Sequence, residues 1–234
     1  MIGVPRISCV ICALNEEKTI NRLLSVLSTH ALVAEIIVVD DGSTDDTAQI
    51  VHSHDRIVLV THATNRGKSA AVASGIAAAR HDLVMLLDAD LVGLSHNNIE
   101  QLALPVLLDN ADVTVSLRGN SLPLYRLIGL DFVTGERVFL RAMLAGKLGE
   151  IADLPPFGFE AWFNRLLLER QLRVEVVRWE NVFNSRKFEK IGLWKGTVAE
   201  FGMVADICRL ASPWEIVAQN YRLLSLTRAA RKRA

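Results

Sequence analysis

Short apolar runs alternate with helical patterns through the first half of the chain, and this alternation restricts the fold more than any other feature. The runs are rich in Val, Ile and Leu, and the stretches between them repeat apolar residues at helical spacing. Such alternation is typical of βαβ units, which build a largely parallel sheet covered by helices. We therefore predict an α/β domain with strands at residues 6–12, 35–40, 56–61, 82–88 and 111–117 and helices at 16–29, 44–54, 67–80 and 97–109.

Polar residues set two of the predicted helix boundaries. Asn15 is expected to cap the helix whose first turn holds Glu16 and Glu17. Ser43, with Asp46 three residues later, resembles a capping box for the next helix. No linker rich in Pro, Gly or Ser divides the chain, so we expect these elements to belong to one domain.

Charge and cysteine content exclude several classes of function and location. The 26 basic residues balance the 26 acidic ones, so no global charge attracts nucleic acid. No apolar run approaches the roughly 18 residues of a membrane span, and the N-terminus lacks the pattern of a signal peptide. The odd count of three cysteines argues against a disulfide framework. We expect a cytoplasmic protein without a nucleic-acid partner.

The predicted strand at 82–88 delivers two carboxylates, Asp88 and Asp90, at its carboxyl end. Open α/β sheets bind ligands at this edge. Two fixed carboxylates can hold a hard divalent cation, which completes its shell with water and substrate phosphates. The alternative is that both acids only form a turn or cap a helix.

Three further polar segments are expected at the same edge. Residues 13–17 follow the first strand and residues 40–47 follow the second, while Lys68 opens an Ala-rich helix. A lysine at a helix N-terminus favours anions, although a solvated surface charge is the alternative. Gly67 to Ser69 is not a P-loop, because the glycine required five positions before Gly67 is His62. Several acids gathered at one edge are costly unless a cation or ligand compensates them.

As an ordered set, these segments resemble the family 2 glycosyltransferases of the GT-A fold, and most closely the small enzymes similar to dolichyl- or polyprenyl-phosphate sugar synthases. The resemblance rests on residues 9–17, 38–47, 65–68 and 87–90, and continues more weakly through 134–137 and 157–160. It implies a GT-A domain at 1–195, with a nucleotide-sugar-binding half at 1–118 and an acceptor half at 119–195. We expect a helical C-terminal extension with a basic tail at 196–234.

The resemblance also implies a donor site. It predicts inverting transfer from a UDP- or GDP-sugar with Mn²⁺ or Mg²⁺, and assigns a role to each matching residue. The residues expected to contact the nucleoside are Ala13, Asn15, Glu17, Asp40 and Asp41; Lys68 matches the family's Gly-Lys helix start, and Asp88 and Asp90 match its metal motif, with Asp90 as direct ligand. Some relatives use a downstream histidine as an extra metal ligand, and residues 179–186 contain none; we expect either a lower metal affinity or substitution by Asn181 or Asn184.

The acceptor half supplies two more candidates. Arg137 is expected to bind phosphate from a helix at 135–148, with Arg141 on the same face; the alternative is that both pair with surface acids. Glu160 opens a helix at 159–170 and is expected to be the general base or an acceptor ligand, or only an acid favoured by the helix dipole. A lipid phosphate is already anionic and needs no base, whereas a sugar hydroxyl does.

The end of the chain suggests where the acceptor lies. Residues 213–234 combine apolar and aromatic residues with a basic tail, which suits peripheral contact with the inner face of a membrane; a helix packed on the domain is the alternative. We expect a polyprenyl phosphate or another membrane-linked acceptor, with a soluble acceptor as the second hypothesis. A sugar-phosphate nucleotidyltransferase is disfavoured because its Gly-rich loop is missing. A nucleotide-binding pseudoenzyme of a glycan assembly complex is the non-enzyme alternative.

Overall fold

The computed structural model describes residues 6–121, 125–126, 131, 134–156, 158–185, 222 and 225. The strands are β1 Ile7–Ala13, β2 Val33–Asp40, β3 Ile57–Thr61, β4 Leu83–Asp88, β5 Leu91–Val92, β6 Val113–Arg118, β7 Arg137–Leu140, β8 Val174–Trp179 and β9 Phe183–Asn184. The α-helices are α1 Ile20–Ser28, α2 Thr47–His52, α3 Lys68–Ala78, α4 His96–Leu107, α5 Leu148–Ala152 and α6 Phe159–Glu169. The extension expected at 196–234 and its membrane contact lie outside the described residues, apart from Arg222 and Ser225.

Among the described residues, seven strands form one mostly parallel sheet in the order β3-β2-β1-β4-β7-β6-β8. Strands β3, β2, β1 and β4 are parallel, β7 is antiparallel to both of its neighbours, and β8 is parallel to β6. Strands β5 and β9 form a separate antiparallel ribbon. The predicted α/β architecture is confirmed, and every strand predicted in the first half is present.

Alternate side chains of the sheet point to opposite faces and pack into two hydrophobic cores, one on each face. On one face α3, α5 and α6 cover a cluster that includes Val10 and Phe163, and on the other α1 and α4 cover one that includes Ile11. Helix α3 lies very close to the sheet, because a Cβ added at Gly75 would lie 2.3 Å from Cγ1 of Val10. The small residues of α3 therefore set how near Lys68, at its start, lies to the strand ends.

The helix predicted at 135–148 is wrong. Strand β7, a 3-10 turn at Arg141–Leu144 and α5 occupy this segment. The backbone of β7 pairs with β4 on one side and β6 on the other, and Val138 and Phe139 are fully buried. Pairing on both sides of a strand outweighs the weak helical preference of a short segment. Arg137 and Arg141 consequently share no helical face.

Both predicted helix caps are also wrong. Helix α1 begins at Ile20 and α2 at Thr47, later than expected. Asn15 and Ser43 instead hydrogen-bond across the gap between the loops that follow β1 and β2. Within the described residues, no helix has the length and apolar character needed to cross a membrane.

Candidate active site

The predicted site residues of the first half meet at the carboxyl edge of the sheet. In the parallel register, Ala13 of β1 lies beside Asp40 of β2, and Cys12 lies beside Asp88 of β4. Parallel pairing brings the ends of these strands to one edge, which is where open α/β sheets bind ligands. The structure thus brings together the segments that the sequence predicted would meet.

Lys68 is the centre of a compact charged cluster. Its Nζ lies 2.8 Å from Oδ1 of Asp88 and 2.8 Å from Oε1 of Glu160. Burial alone would lower the pKa of Lys68, but the two carboxylates raise it well above its usual range. Burial likewise opposes ionisation of Asp88, yet Lys68 and Arg118 lower the pKa of that carboxyl to about 2. Lys68 is therefore a paired cation of the site and not a solvated surface charge.

The start of α3 is tied directly to the start of α6, and this fixes the Lys68–Glu160 contact. Ser69 Oγ donates to the carbonyl of Pro155 at 2.7 Å and accepts from the backbone N–H of Phe159 at 3.1 Å. The backbone N–H of Ser69 also donates to the carbonyl of Pro156 at 3.1 Å. Two helices far apart in sequence thereby present Lys68 and Glu160 to each other in a fixed geometry.

Arg118, at the end of β6, holds the other side of Asp88 and was missed from the sequence. Its Nη1 lies 2.6 Å from Oε1 of Glu136 and 3.4 Å from Oδ2 of Asp88, and its Nη2 lies 3.8 Å from Oδ2 of Asp131. Glu136 is fully buried and also accepts from Ser116 Oγ at 2.6 Å. Asp88 is thus held by two cations, Lys68 and Arg118. The sequence pointed to this cluster only through the segment 134–137, in which Arg137 and not Glu136 was predicted to have a role.

Arg137 lies inside the domain, not at the edge where a phosphate contact was expected. Its side chain is fully buried, with Nε and Nη2 donating to the Thr134 carbonyl at 3.1 and 2.9 Å and Nη1 donating to Asn164 Oδ1 at 3.0 Å. The guanidinium lies 5.3 Å from the ring centroid of Phe163. Arg137 thus holds the segment before β7 through the Thr134 carbonyl, and Arg118, not Arg137, is the arginine found in contact with Asp88.

The loops after β1 and β2 form one wall of the site by bonding to each other. Asn15 has a positive φ of 56°, and its Oδ1 accepts from the backbone N–H of Thr44 at 2.8 Å. The backbone N–H of Asn15 donates to Ser43 Oγ at 2.9 Å, and Glu17 Oε2 accepts from the N–H of Asp46 at 3.2 Å. Asn15 and Glu17 both remain exposed.

Asp41 organises the loop that leads into Lys68. Its Oδ1 lies 2.6 Å from His62 Nδ1 and accepts from the N–H of Arg66 at 3.0 Å, and its Oδ2 accepts from the N–H of Gly67 at 2.8 Å. Neighbouring Asp40 accepts from the N–H of Ser43 at 3.1 Å through Oδ1. Both acids are buried, and both carboxylate oxygens of Asp41 accept hydrogen bonds from the protein itself. His62, not selected from the sequence, is part of this arrangement.

The residues around Asp90 suit a cation whose remaining ligands come from water and a substrate. Asp90 is 7% exposed, and its carbonyl accepts from the N–H of Ser185 at 2.9 Å. In the described part of the chain, no three His, Cys, Asp or Glu side chains group closely enough to hold a metal alone. Asn184, opposite Leu91 in the β5–β9 ribbon, keeps its Oδ1 buried without a hydrogen-bond partner among the described residues. One or two carboxylates with an amide oxygen suit Mg²⁺-type binding completed by water and phosphate.

Several known proteins are similar to this chain in sequence. The family model described as glycosyl transferase family 2 matches residues 8–167. The poly-beta-1,6-N-acetyl-D-glucosamine synthase of Staphylococcus epidermidis is 42% identical over 94 residues, covering 38% of this chain and 23% of the synthase. An uncharacterized protein of Methanocaldococcus jannaschii is 32% identical over 146 residues, covering 57% of this chain and 58% of that protein. The chain thus matches only part of the length of either relative.

Solved structures share the fold. Glucosyl-3-phosphoglycerate synthase from Mycobacterium tuberculosis, in complex with Mn²⁺, UDP and glucosyl-3-phosphoglycerate, superposes with a TM-score of 0.65 at 24% identity, covering 88% of this chain and 79% of that one. Another mycobacterial protein gives a TM-score of 0.60 at 26% identity, covering 74% and 65%. The family match spans more than half of the chain and includes the strand ends that carry the site. The chain belongs to glycosyl transferase family 2 and has the GT-A fold.

Proposed function

We propose that this protein is an inverting glycosyltransferase that takes a sugar from a UDP- or GDP-sugar in the presence of Mn²⁺ or Mg²⁺. The observation that carries the proposal is the charged edge of the sheet. There Asp88, held by Lys68 and Arg118, precedes a second acid, Asp90, on a chain of family 2. The solved neighbour with UDP and Mn²⁺ in its complex supports the same type of donor.

Asp90 would hold the cation directly, with Asp88 and the Asn184 side-chain oxygen as the remaining protein ligands. When bound, such a cation supplies Lewis-acid neutralisation of the leaving nucleoside diphosphate. Lys68 and Arg118 keep Asp88 ionised and fixed in place for this role. The protein thus prepares the carboxylate geometry before the donor arrives, which is the general basis of electrostatic preorganisation.

The two halves of the domain divide donor and acceptor binding in this proposal. In residues 1–118, the wall formed by Asn15 and Glu17 with Ala13 and Asp40 would contact the nucleoside, and Asp41 would hold the loop leading to Lys68. Residues 119–195 would form the acceptor side, with Glu160 at the boundary. Asn15 and Glu17 are exposed and accessible to a ligand. Asp41 is buried and would act indirectly, by hydrogen-bonding the loop that leads to Lys68.

The acceptor in this proposal is a polyprenyl phosphate or another membrane-linked molecule. The basic, apolar sequence at 213–234 supports it, because such a segment suits contact with an anionic membrane surface. A soluble acceptor is the second candidate, supported by the solved neighbour that carries glucosyl-3-phosphoglycerate in its complex. Flotation with liposomes tests whether the protein contacts a membrane. Loss of flotation on removing residues 213–234 supports membrane contact through this segment.

Calorimetric titration with UDP and with GDP, each with and without Mn²⁺, tests the donor assignment. We expect one of the two nucleotides to bind, and to bind at least tenfold more tightly with Mn²⁺, since the cation bridges protein carboxylates and diphosphate. The preferred nucleotide identifies the base. Failure of both nucleotides to bind in the presence of Mn²⁺ would contradict the proposal, whereas nucleotide binding without sugar transfer would favour the pseudoenzyme hypothesis.

We expect Glu160→Gln to retain transfer to a polyprenyl phosphate within about tenfold of the wild-type rate. A phosphate acceptor is already anionic and needs no general base, and the amide oxygen of Gln can still accept from Lys68. The measurement is release of nucleoside diphosphate in single-turnover assays, with Glu169→Gln on the exposed face of the same helix as the control. A loss of about 10² to 10⁴-fold in Glu160→Gln alone would instead identify an obligatory base and a hydroxyl acceptor.

A further inference from the structure

A cleft of about 380 Å³ lies at the carboxyl ends of β6 and β8, beside the contact between Arg118 and Asp88 and apart from the loops that follow β1 and β2. Of the residues that the structure describes, its lining includes three arginines, Arg118, Arg126 and Arg178, together with Trp179 and Glu180. In the sheet order, β6 and β8 lie at the opposite end from β2 and β3. The cleft therefore lies toward the opposite end of the sheet from the loops that follow β1 and β2.

The charge of the cleft favours an anion. Arg126 and Arg178 are exposed, and neither forms an ion pair with another described residue. Arg118 is paired with acids on its Nη side, and Glu180 is the single acid among the described residues that line the cleft. Arginine guanidinium groups present several donors in a fixed fork that matches phosphate or carboxylate.

Two buried donors in the lining are unsatisfied. Nε of Arg118 and Nε1 of Trp179 are both buried, and neither has a hydrogen-bond partner in the part of the chain that the structure describes. The two residues lie side by side in the β6–β8 register. An unpaired buried donor costs roughly 1–3 kcal/mol, so such groups in a lined cleft call for an explanation. A ligand with acceptor oxygens supplies one.

We propose that this cleft binds the anionic group of the acceptor, a phosphate monoester or a chemically similar acidic group. Arg126 and Arg178 contact the anion, and Arg118 and Trp179 form the back of the site. The assignment of this anion to the acceptor rests on the proposed transferase function. Arg118 also reaches Asp88 at 3.4 Å, so an anion held here lies next to the place where donor phosphates are expected.

Titration with two phosphate probes tests the cleft and distinguishes the two sources of the acceptor. Glycerol 3-phosphate represents a soluble acceptor and geranyl phosphate a polyprenyl phosphate, with glycerol and geraniol as uncharged controls. Each probe is titrated calorimetrically into wild type, Arg126→Gln, Arg178→Gln and the double variant. Arg165→Gln, which changes an exposed arginine on α6, is the matched control. Binding of UDP and GDP with Mn²⁺ is measured on the same samples.

We expect each single variant to weaken phosphate binding about five- to tenfold and the double variant to remove it, because each loses one guanidinium contact. Arg165→Gln and the uncharged controls show no such effect, and nucleotide binding stays within about twofold of wild type. Tighter binding of geranyl phosphate supports a lipid acceptor, and equal or tighter binding of glycerol 3-phosphate supports a soluble one. Either order is consistent with the cleft as the anion site.

Two results would overturn the assignment. One is unchanged phosphate binding in the double variant, and the other is wild-type protein that binds nucleotide but neither phosphate probe. The opposite pattern separates the two proposals. If phosphate binds through Arg126 and Arg178 while neither UDP nor GDP binds, the cleft stands as an anion site and the transferase proposal fails.

Discussion

Asp90→Asn is expected to lower the rate of sugar transfer about 10³-fold and to remove the dependence of nucleotide binding on Mn²⁺. The change keeps the shape of the side chain and removes one negative charge, and Asp90 is the acid proposed to hold the cation directly. Among the described residues no cluster of acids or histidines replaces it. A 10³-fold loss corresponds to about 4 kcal/mol of transition-state stabilisation, a normal magnitude for removing one principal electrostatic contact.

Two measurements check this expectation. Nucleoside diphosphate release gives the rate, and calorimetry with and without Mn²⁺ gives the metal dependence of binding. Asp153→Asn, at an exposed acid just after α5, is the matched control and should behave as wild type. An Asp90→Asn protein that transfers sugar at the wild-type rate would remove Asp90 from the site.

The parallel half of the sheet was predictable because its signals are strong and local. The strands up to 82–88 are largely apolar runs, and each is separated from the next by a helical pattern. Strand β7 carried no such signal, since only four residues form it and its pairing partners β4 and β6 lie far away in sequence. An antiparallel strand inserted into a parallel sheet depends on tertiary contacts that no local window contains.

The same distinction separates the site residues. Asp88, Lys68 and Glu160 were predicted from motif and position, and the structure brings them within 2.8 Å contacts. Arg118 and Glu136 were missed because in the sequence each is an ordinary charged residue next to a strand. Only the pairing of β6 with β7 brings the two side chains into contact. Asn15 and Ser43 were predicted to be helix caps. Capping a helix and bonding to a neighbouring loop both use the side-chain oxygen as an acceptor for a backbone N–H. Only the three-dimensional closeness of the two loops decides which backbone groups those oxygens bind.

Gly135→Ala is expected to reduce transfer about 10²-fold with little change in the melting temperature. An ideal Cβ at this position would lie 2.3 Å from Asp88 Oδ1 and 2.7 Å from Lys68 Nζ, so the two side-chain ends must move apart while the backbone stays in place. A displacement of about 1 Å at a reacting centre can cost about 10²-fold in rate. The effect should therefore fall on activity and on nucleotide binding, measured by diphosphate release and calorimetry, and not on folding.

Gly149→Ala provides the matched control, because a Cβ at Gly149 meets no atom within 4 Å and the residue lies in α5. We expect this variant to transfer sugar normally and to gain roughly 0.5–1 kcal/mol of stability, since Ala is favoured over Gly inside a helix. Thermal melts and activity on the two variants together separate a general effect of alanine from one on the ion pair. Wild-type activity in Gly135→Ala would show that the Lys68–Asp88 contact is dispensable, and the preorganised carboxylate would lose its place in the proposed mechanism.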